Sequence, residues 1–141
     1  MDAFDADVLI YAVKPEHELG RRVRALMPPA ATGSDDPTAG VGSMMLLQEL
    51  LAKPLREGAA AELNALLDLL GRLDLQHIDR ATASVATTLA AKYRLHAADA
   101  THLATAVVVG ADRFITNNQK DFPKTISEVD VVYPADLPEV N

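Results

Sequence analysis

The chain has 141 residues, no cysteine and a net charge of −7 at pH 7. This length fits one compact domain over residues 1–141, and the absence of cysteine excludes disulfide bonds, cysteine-ligated zinc and thiol nucleophiles. Because no run of 18 apolar residues occurs and the N-terminus lacks the basic and apolar regions of a signal peptide, we expect a cytoplasmic protein without membrane contact.

The first half of the chain predicts two strands and three helices. In chain order they are a strand that begins at Ala3, a helix over residues 16–27, a strand at residues 41–42, and helices over residues 44–56 and 59–70. Pro28 and Pro29 end the first helix, and residues 30–40 predict a flexible loop. Ser43 can cap the second helix, which Pro54 ends or kinks.

The second half of the chain continues this alternation. It predicts a strand over residues 73–78, helices over residues 80–93 and 97–106, and strands over residues 113–116 and 129–133. Gly110 suits the left-handed turn that closes the second of these helices. The alternation favours an α/β fold, a three-layer α/β/α sandwich with a mostly parallel central sheet.

Two aspartates follow the first predicted strand. Asp5 comes directly after Phe4, where that strand should end, and open parallel sheets bind ligands at the carboxyl ends of their strands. Asp7 follows two residues later, and its carboxylate need not point the same way. A turn or helix-capping role is the alternative for either residue.

Two further acids lie on predicted helices. Glu49 stands in the apolar segment 44–51, where an enclosed carboxylate needs a partner or a metal ion, although the surface side of an amphipathic helix explains it equally well. Asp99 opens a helix whose N-terminal dipole favours a negative charge, so capping competes with metal binding.

Three histidines are less convincing as metal ligands. His102 shares a helix face with Asp99, but in an alanine-rich helix a packed or hydrogen-bonded core position is the better interpretation. His77 and His96 fit surface positions. We therefore expect a site built from carboxylate oxygens, which Mg²⁺ prefers.

The last candidate segment follows the strand at residues 113–116. Asn117, Asn118 and Asp121 stand where that strand gives way to polar residues, again at a carboxyl end. The two asparagines taken alone could simply form a turn.

Taken together, these segments resemble the PIN-domain family, particularly toxins of the VapC type. Residues 4–11 look like the family's opening strand with its first catalytic aspartate, and residues 43–51 look like its Ser-to-Glu helix. Residues 98–106 are similar to the stretch that carries the third acid, and residues 110–118 match the closing motif. The resemblance covers about residues 2–122, nearly the whole chain.

The resemblance implies a ribonuclease that hydrolyses RNA phosphodiester bonds with one or two Mg²⁺ or Mn²⁺ ions. The implied catalytic and metal-binding residues are Asp5, Glu49, Asp99 and Asp121. It also implies the role of a toxin that pairs with a small antitoxin, whose tail covers the acidic pocket, and that forms a homodimer.

The fourth acid departs from the commonest family pattern. Many members place it directly after Thr-Asn, where this chain has Asn118, whereas others carry it three residues later, as Asp121 does. Asn118 would then orient Asp121 or a bound water. In the family Thr116 contributes its hydroxyl near Asp5, and Asp7 plays a supporting role.

The acidic composition argues against broad attraction to RNA, because Lys and Arg contacts to phosphate dominate such binding. Divalent cations held by the acids would add positive charge where the phosphate sits. Basic residues are also grouped, as Arg21, Arg22 and Arg24 and as Lys53 and Arg56. Solvated helix faces are the simpler explanation of both groups.

Two other functions compete with this interpretation. Asp5-Ala6-Asp7-Val8-Leu9 also fits the Asp-x-Asp opening of a haloacid dehalogenase-type phosphatase, but Asp99 precedes Thr116 and no acidic pair ends a strand after Lys120, contrary to that family's order. A catalytically inactive PIN scaffold that binds RNA or a protein comes from a different class. The retained acids argue against it.

Overall fold

The computed structural model describes residues 1–27 and 39–141. The predicted helix stop at Pro28 and Pro29, and residues 30–38 of the predicted loop, lie outside the described residues. The strands are β1 Asp2–Phe4, β2 Gly40–Ser43, β3 Leu73–Gln76, β4 Arg113–Ile115 and β5 Asp130–Val132. The helices are α1 Ala6–Ala12, α2 Glu18–Arg24, α3 Met45–Glu57, α4 Ala60–Leu70, α5 Arg80–Tyr93 and α6 Ala97–Val108, with a short 3₁₀ helix at Pro134–Asp136.

The five strands of the described residues form one sheet in the order β3-β2-β1-β4-β5, and all of their pairings are parallel. β1 lies at the centre, with Ala3 opposite Val41 of β2 and Phe114 of β4. The strand order reverses at β1, and sheets of this kind open a crevice at the carboxyl ends of the strands beside that point. The predicted α/β fold with a mostly parallel sheet is confirmed.

Helices cover both faces of the sheet. Ala3 and Phe114 are buried on one face together with residues of α5 and α6. Phe4 and Ile115 are buried on the other face, together with residues of α1, α3 and α4. Because successive side chains of a strand point to opposite faces, these short strands serve both layers. The result is the three-layer arrangement expected from the sequence.

Helix α1 is the main local difference from the sequence prediction. Val8, Leu9 and Ile10 are typical of a strand, which made the apolar run after Ala3 look extended. The strand ends at Phe4, however, and Asp5 has an extended backbone and accepts the Ala6 N–H as the N-cap of α1. Asp7 therefore lies in the first turn of a helix.

The start of α3 also differs in detail. Met44 is the N-cap residue, and the Ser43 hydroxyl one residue earlier accepts the Met45 N–H at 3.1 Å. Pro54 is within α3, which continues to Glu57 without ending at the proline. Among residues 1–27 and 39–141, no helix is both long and apolar enough to cross a bilayer.

Candidate metal centre

Asp5 lies at the carboxyl end of the central strand and is buried, with 5% of its surface exposed. One carboxylate oxygen accepts the Ala6 N–H at 2.8 Å, and the other accepts the Thr116 hydroxyl at 2.7 Å. Thr116 directly follows β4, the strand paired with β1. Two adjacent strand ends thus fix the orientation of this carboxylate.

Asp7 joins the first turn of α1 to the segment after β4. Its Oδ2 accepts the Asn117 N–H at 3.1 Å, while its buried Oδ1 has no partner among the described residues. Burial, together with the charge of Asp5, raises the pKa of Asp7 to about 7. This carboxylate therefore holds a proton far more readily than a solvated aspartate.

The segment after β4 folds back on itself through reciprocal hydrogen bonds. The Asn118 amide donates to Asp121 Oδ2 at 2.9 Å, and the Asp121 N–H donates to Asn118 Oδ1 at 3.3 Å. The Asn118 N–H also donates to the Thr116 hydroxyl oxygen at 3.1 Å. Asp121 is half-buried, and Asn118 fixes its direction through contacts that lead back to Asp5.

Glu49 and His102 connect α3 to α6. Glu49 lies on the exposed side of α3, with 32% of its side chain accessible, yet its Oε1 is 2.7 Å from the Nε2 of buried His102. His102 Nδ1 has no partner among the described residues. The structure agrees with the core interpretation of His102, and it places His77 and His96 on the surface.

Asp99 is half-buried in the first turn of α6, one turn before His102. Burial raises the pKa of Asp99, and the charges of Asp5 and Asp121 raise it further. Burial likewise raises the pKa of Asp5, with Glu49 adding to the effect and His102 opposing it. Each of the four predicted acids therefore interacts electrostatically with at least one of the others.

His102 is the buried base among these acids. Burial lowers its pKa, but the hydrogen bond that its ring donates to Glu49 and the charges of Asp5 and Asp99 outweigh burial, so that the pKa is raised overall. A protonated imidazole would partly balance the surrounding carboxylates. We call the edge of the sheet where Asp5, Glu49, Asp99 and Asp121 lie, together with buried His102, the acidic crevice.

The PIN domain family model matches residues 3–126 of this sequence. The chain belongs to the PIN domain family. PIN domains are usually nucleases, and they generally use divalent metal ions. The site described above lies within the matched range.

Two solved structures support the PIN fold. A toxin–antitoxin complex from Klebsiella pneumoniae is similar with a TM-score of 0.74 and 23% sequence identity, covering 95% of this chain and 98% of the other. VapBC2 from Rickettsia felis, bound to a DNA fragment from its promoter, has a TM-score of 0.69 and 16% identity, covering 94% and 97%. No curated protein sequence matches the chain.

The donor chemistry of this PIN domain fits a hard divalent cation, because its acidic side chains offer carboxylate oxygens that repel one another without a counter-ion. As placed, however, no three His, Asp or Glu side chains within residues 1–27 and 39–141 form a ready metal-binding group. Their oxygens point to protein partners instead: Glu49 to His102, and Asp121 to Asn118. The second oxygen of each carboxylate would be the one available to an ion, so that His102 and Asn118 can keep these side chains in place.

Sequence reasoning did not identify the contact between Glu49 and His102. The two residues are 53 positions apart and lie on helices that meet only in the folded chain. The available signal was that a buried histidine needs a hydrogen-bond partner. That rule predicts a partner for His102 but does not identify it.

Proposed function

We propose that this PIN domain is a metal-dependent endoribonuclease. The observation that carries the proposal is the crevice at the carboxyl ends of β1 and β4, where acids from the β1 end, α3, α6 and the segment after β4 interact electrostatically. A protein with a net charge of −7 needs cations to accept a phosphodiester at such a site.

The metal ligands in this proposal are Asp5, Glu49, Asp99 and Asp121, which would hold one or two Mg²⁺ or Mn²⁺ ions. The bound cation supplies a water of lowered pKa and stabilises the negative charge that develops on the phosphate during hydrolysis. Water adds across one phosphorus–oxygen bond, and the oxygen that leaves takes up a proton.

The supporting residues act on the ligands. Thr116 donates to Asp5 and fixes its carboxylate, while Asn118 does the same for Asp121. His102 holds the Glu49 carboxylate at the crevice. Asp7 ties α1 to the segment that carries Asn117, which keeps the ends of β1 and β4 in register.

Cleavage of a labelled single-stranded RNA in Mn²⁺ buffer tests the activity. Asp5→Asn and Asp99→Asn should each reduce the rate by about a thousandfold, because losing a ligand removes several kcal/mol of transition-state stabilisation. Asp74→Asn, an exposed acid of β3, provides a control with the same change of charge and should cleave normally. Wild-type rates from either site variant would contradict the assignment.

Calorimetric titration with Mn²⁺ separates this proposal from an inactive scaffold, which has no need to bind the ion at these acids. Release of phosphate from a small phosphomonoester, without RNA cleavage, would indicate a phosphatase instead. The PIN family match gives that alternative no support.

We further propose that the chain is a single PIN domain over residues 1–141, acting in the cytoplasm as the toxin of a toxin–antitoxin pair and forming a homodimer. The fold similarity to two toxin–antitoxin complexes supports this role. An antitoxin tail with Arg or Lys could inhibit the site by pairing with its carboxylates.

A growth assay tests the toxin role. Induced expression of the wild-type protein should arrest the growth of the host cells, whereas expression of Asp99→Asn should not.

A further inference from the structure

A second concave site lies at the far end of α1 from the acidic crevice. We call it the α1–α2 pocket. It has a volume of about 480 Å³, and its lining includes apolar Ala12, Val13 and Ala25 as well as basic Lys14, Arg21 and Arg24. This volume is within the range of sites that enclose small organic ligands. An apolar surface with basic side chains fits a ligand that has both a planar apolar group and an anionic group.

Within residues 1–27 and 39–141, the basic side chains of this pocket take part in none of the ion pairs. The ion pairs among the described residues engage other basic side chains, namely Arg22, Arg72, Lys92, Arg113 and Lys124. Among the described residues, Arg21 makes one side-chain hydrogen bond, to the Pro15 carbonyl at 3.3 Å, which uses one of its five N–H donors. Three basic groups thus line one pocket of a strongly acidic protein.

We propose that the α1–α2 pocket binds a nucleotide of the RNA substrate outside the scissile position, with phosphate on Lys14, Arg21 and Arg24 and the base against the apolar lining. This proposal rests on the ribonuclease function. The acidic crevice holds phosphate only through metal, so a direct cationic contact elsewhere on the chain would supply the electrostatic affinity that the net charge otherwise opposes.

The two sites are linked by a single helix. Asp5 caps the N-terminus of α1, whereas Ala12 and Val13 of the pocket form its last residue and C-cap. Seven helical residues span about 10 Å along the axis of α1. An RNA bound at both sites would have to cover at least this distance.

Two neighbouring acids pair with Arg22, which does not line the pocket. Glu18 is paired with Arg22 at 2.9 Å, and Glu139 approaches the same guanidinium at 3.5 Å. Basic residues in the last turn of α2 also complement the helix dipole. If that were their only role, their replacement would lower thermal stability and leave RNA binding unchanged.

Equilibrium binding of a fluorescent eight-nucleotide single-stranded RNA to the non-cleaving Asp99→Asn protein tests the proposal. Adding Arg21→Gln and Arg24→Gln should raise Kd by about tenfold and make the plot of log Kd against log salt shallower by about 1.4, or about 0.7 per phosphate contact. Arg80→Gln with Arg94→Gln, both exposed and on α5 or its cap, makes the same charge change and should alter neither quantity.

The same basic-site changes in the otherwise wild-type enzyme should raise KM about tenfold while kcat changes less than twofold. An unchanged Kd, salt slope and KM in an enzyme that cleaves RNA would overturn the pocket proposal and leave the ribonuclease function intact. Absence of cleavage by wild type would instead count against the proposed function, whatever the binding result.

Binding of uridine 5′-monophosphate, compared with binding of inorganic phosphate, tests whether the apolar lining contacts a base. It should shift the NMR methyl signals of Ala12, Val13 and Ala25, whereas inorganic phosphate at equal concentration should not. Equal responses to both ligands would overturn the nucleotide assignment. Polyglutamate is the probe for an acidic peptide. If the Arg21→Gln, Arg24→Gln protein lost polyglutamate binding but kept RNA binding, the pocket would be assigned to an acidic peptide, and the nucleotide proposal would be overturned.

Discussion

In the proposed metal site, Asp121 supplies the fourth acid and Asn118 orients it. The amide of Asn118 receives and donates hydrogen bonds with Asp121, and its backbone N–H contacts Thr116, which in turn donates to Asp5. An asparagine at the commoner acid position therefore retains a connection to the site. The charge itself is displaced to Asp121, three residues later.

Variants of these two residues should separate charge from orientation. Asp121→Asn removes a proposed ligand and should reduce RNA cleavage by about a hundredfold, whereas Asn118→Ala removes only the donor that orients Asp121 and should cost about tenfold. Mn²⁺ affinity, measured by calorimetry, should follow the same order. A larger loss from Asn118→Ala than from Asp121→Asn would place the fourth ligand at Asn118.

At the scale of secondary-structure elements, the crossing of α1 and α2 depends on a close backbone approach at Gly20. A Cβ atom at this position would lie 2.0 Å from the Tyr11 carbonyl oxygen. The backbone of α1 would have to move, and overpacking of this kind costs about 1–3 kcal/mol. Glycine therefore allows the two helices to pack, although its backbone conformation needs no left-handed angle.

Gly20→Ala should lower Tm by an amount on the order of 5–10 °C. Gly71→Ala serves as the control, because a Cβ there would meet its nearest carbonyl oxygens at 3.4 Å. Differential scanning calorimetry of both variants checks the prediction. Equal melting temperatures for the two variants would show that α1 shifts away without cost.

Another element-scale contact joins the end of α5 to the segment before β5. Glu128 accepts hydrogen bonds from Lys92 at 2.8 Å and from the Tyr93 hydroxyl. The Lys92 contact first, and then Tyr93, lower the pKa of Glu128 to about 2. Since the folded pKa lies below the ordinary value of 4.5, this contact stabilises the fold above about pH 4.5 and is lost as the pH falls towards 2.

Glu128→Gln should therefore lower Tm at pH 7 by only about 1–3 °C, because the pair is exposed to solvent. The difference from wild type should shrink as the pH is lowered from 5 to 3. Glu57→Gln, an exposed residue at the end of α3, controls for the charge change. A difference that stays constant over this range would exclude a role for Glu128 ionisation.

For the whole molecule, the sequence predicted the layers better than the element ends. The Arg80–Tyr93 helix was predicted to the residue, and Asp79 caps it while Arg94 closes it in the left-handed conformation. Strands are shorter than predicted, because apolar runs continue past the last residue that is paired with a neighbouring strand. The strand predicted over residues 73–78, for example, is β3 Leu73–Gln76 in the structure. Periodicity reports burial, which does not stop where hydrogen-bond pairing stops.

The rule for strand ends predicted that Asp5 and Asp121 lie at one edge of the sheet, and the PIN resemblance added Glu49 and Asp99, but neither predicted the contacts within the site. Glu49 was equally consistent with a surface face or a buried one, and 32% of its side chain is in fact exposed while its Oε1 contacts buried His102. The sequence also could not predict the α1–α2 pocket, because its lining combines helix ends with Val140 near the C-terminus. Such juxtapositions depend on tertiary packing, which local patterns do not encode.

The proposed metal site predicts that the stability of the whole chain depends on divalent cations. Burial, with the charges of Asp5 and Asp121, raises the pKa of Asp99, so its ionised form is disfavoured in the fold and weakens it at neutral pH. A cation that binds only the folded state stabilises it by about 2.7 kcal/mol at a hundred times Kd. Mn²⁺ should therefore raise the wild-type Tm by an amount on the order of 5–10 °C.

Asp99→Asn should change the stability of the fold in two ways. It removes a negative charge that destabilises the metal-free fold, and it removes a proposed ligand, so that less stabilisation by the cation is expected. In EDTA its Tm should equal or exceed that of wild type, and Mn²⁺ should shift it by less than a third of the wild-type change. Asp74→Asn should keep the full shift. Melting curves of each protein, recorded in EDTA and in Mn²⁺, test this prediction. An equal Mn²⁺-induced change in Tm for wild type and Asp99→Asn would mean that the ion binds elsewhere on the chain.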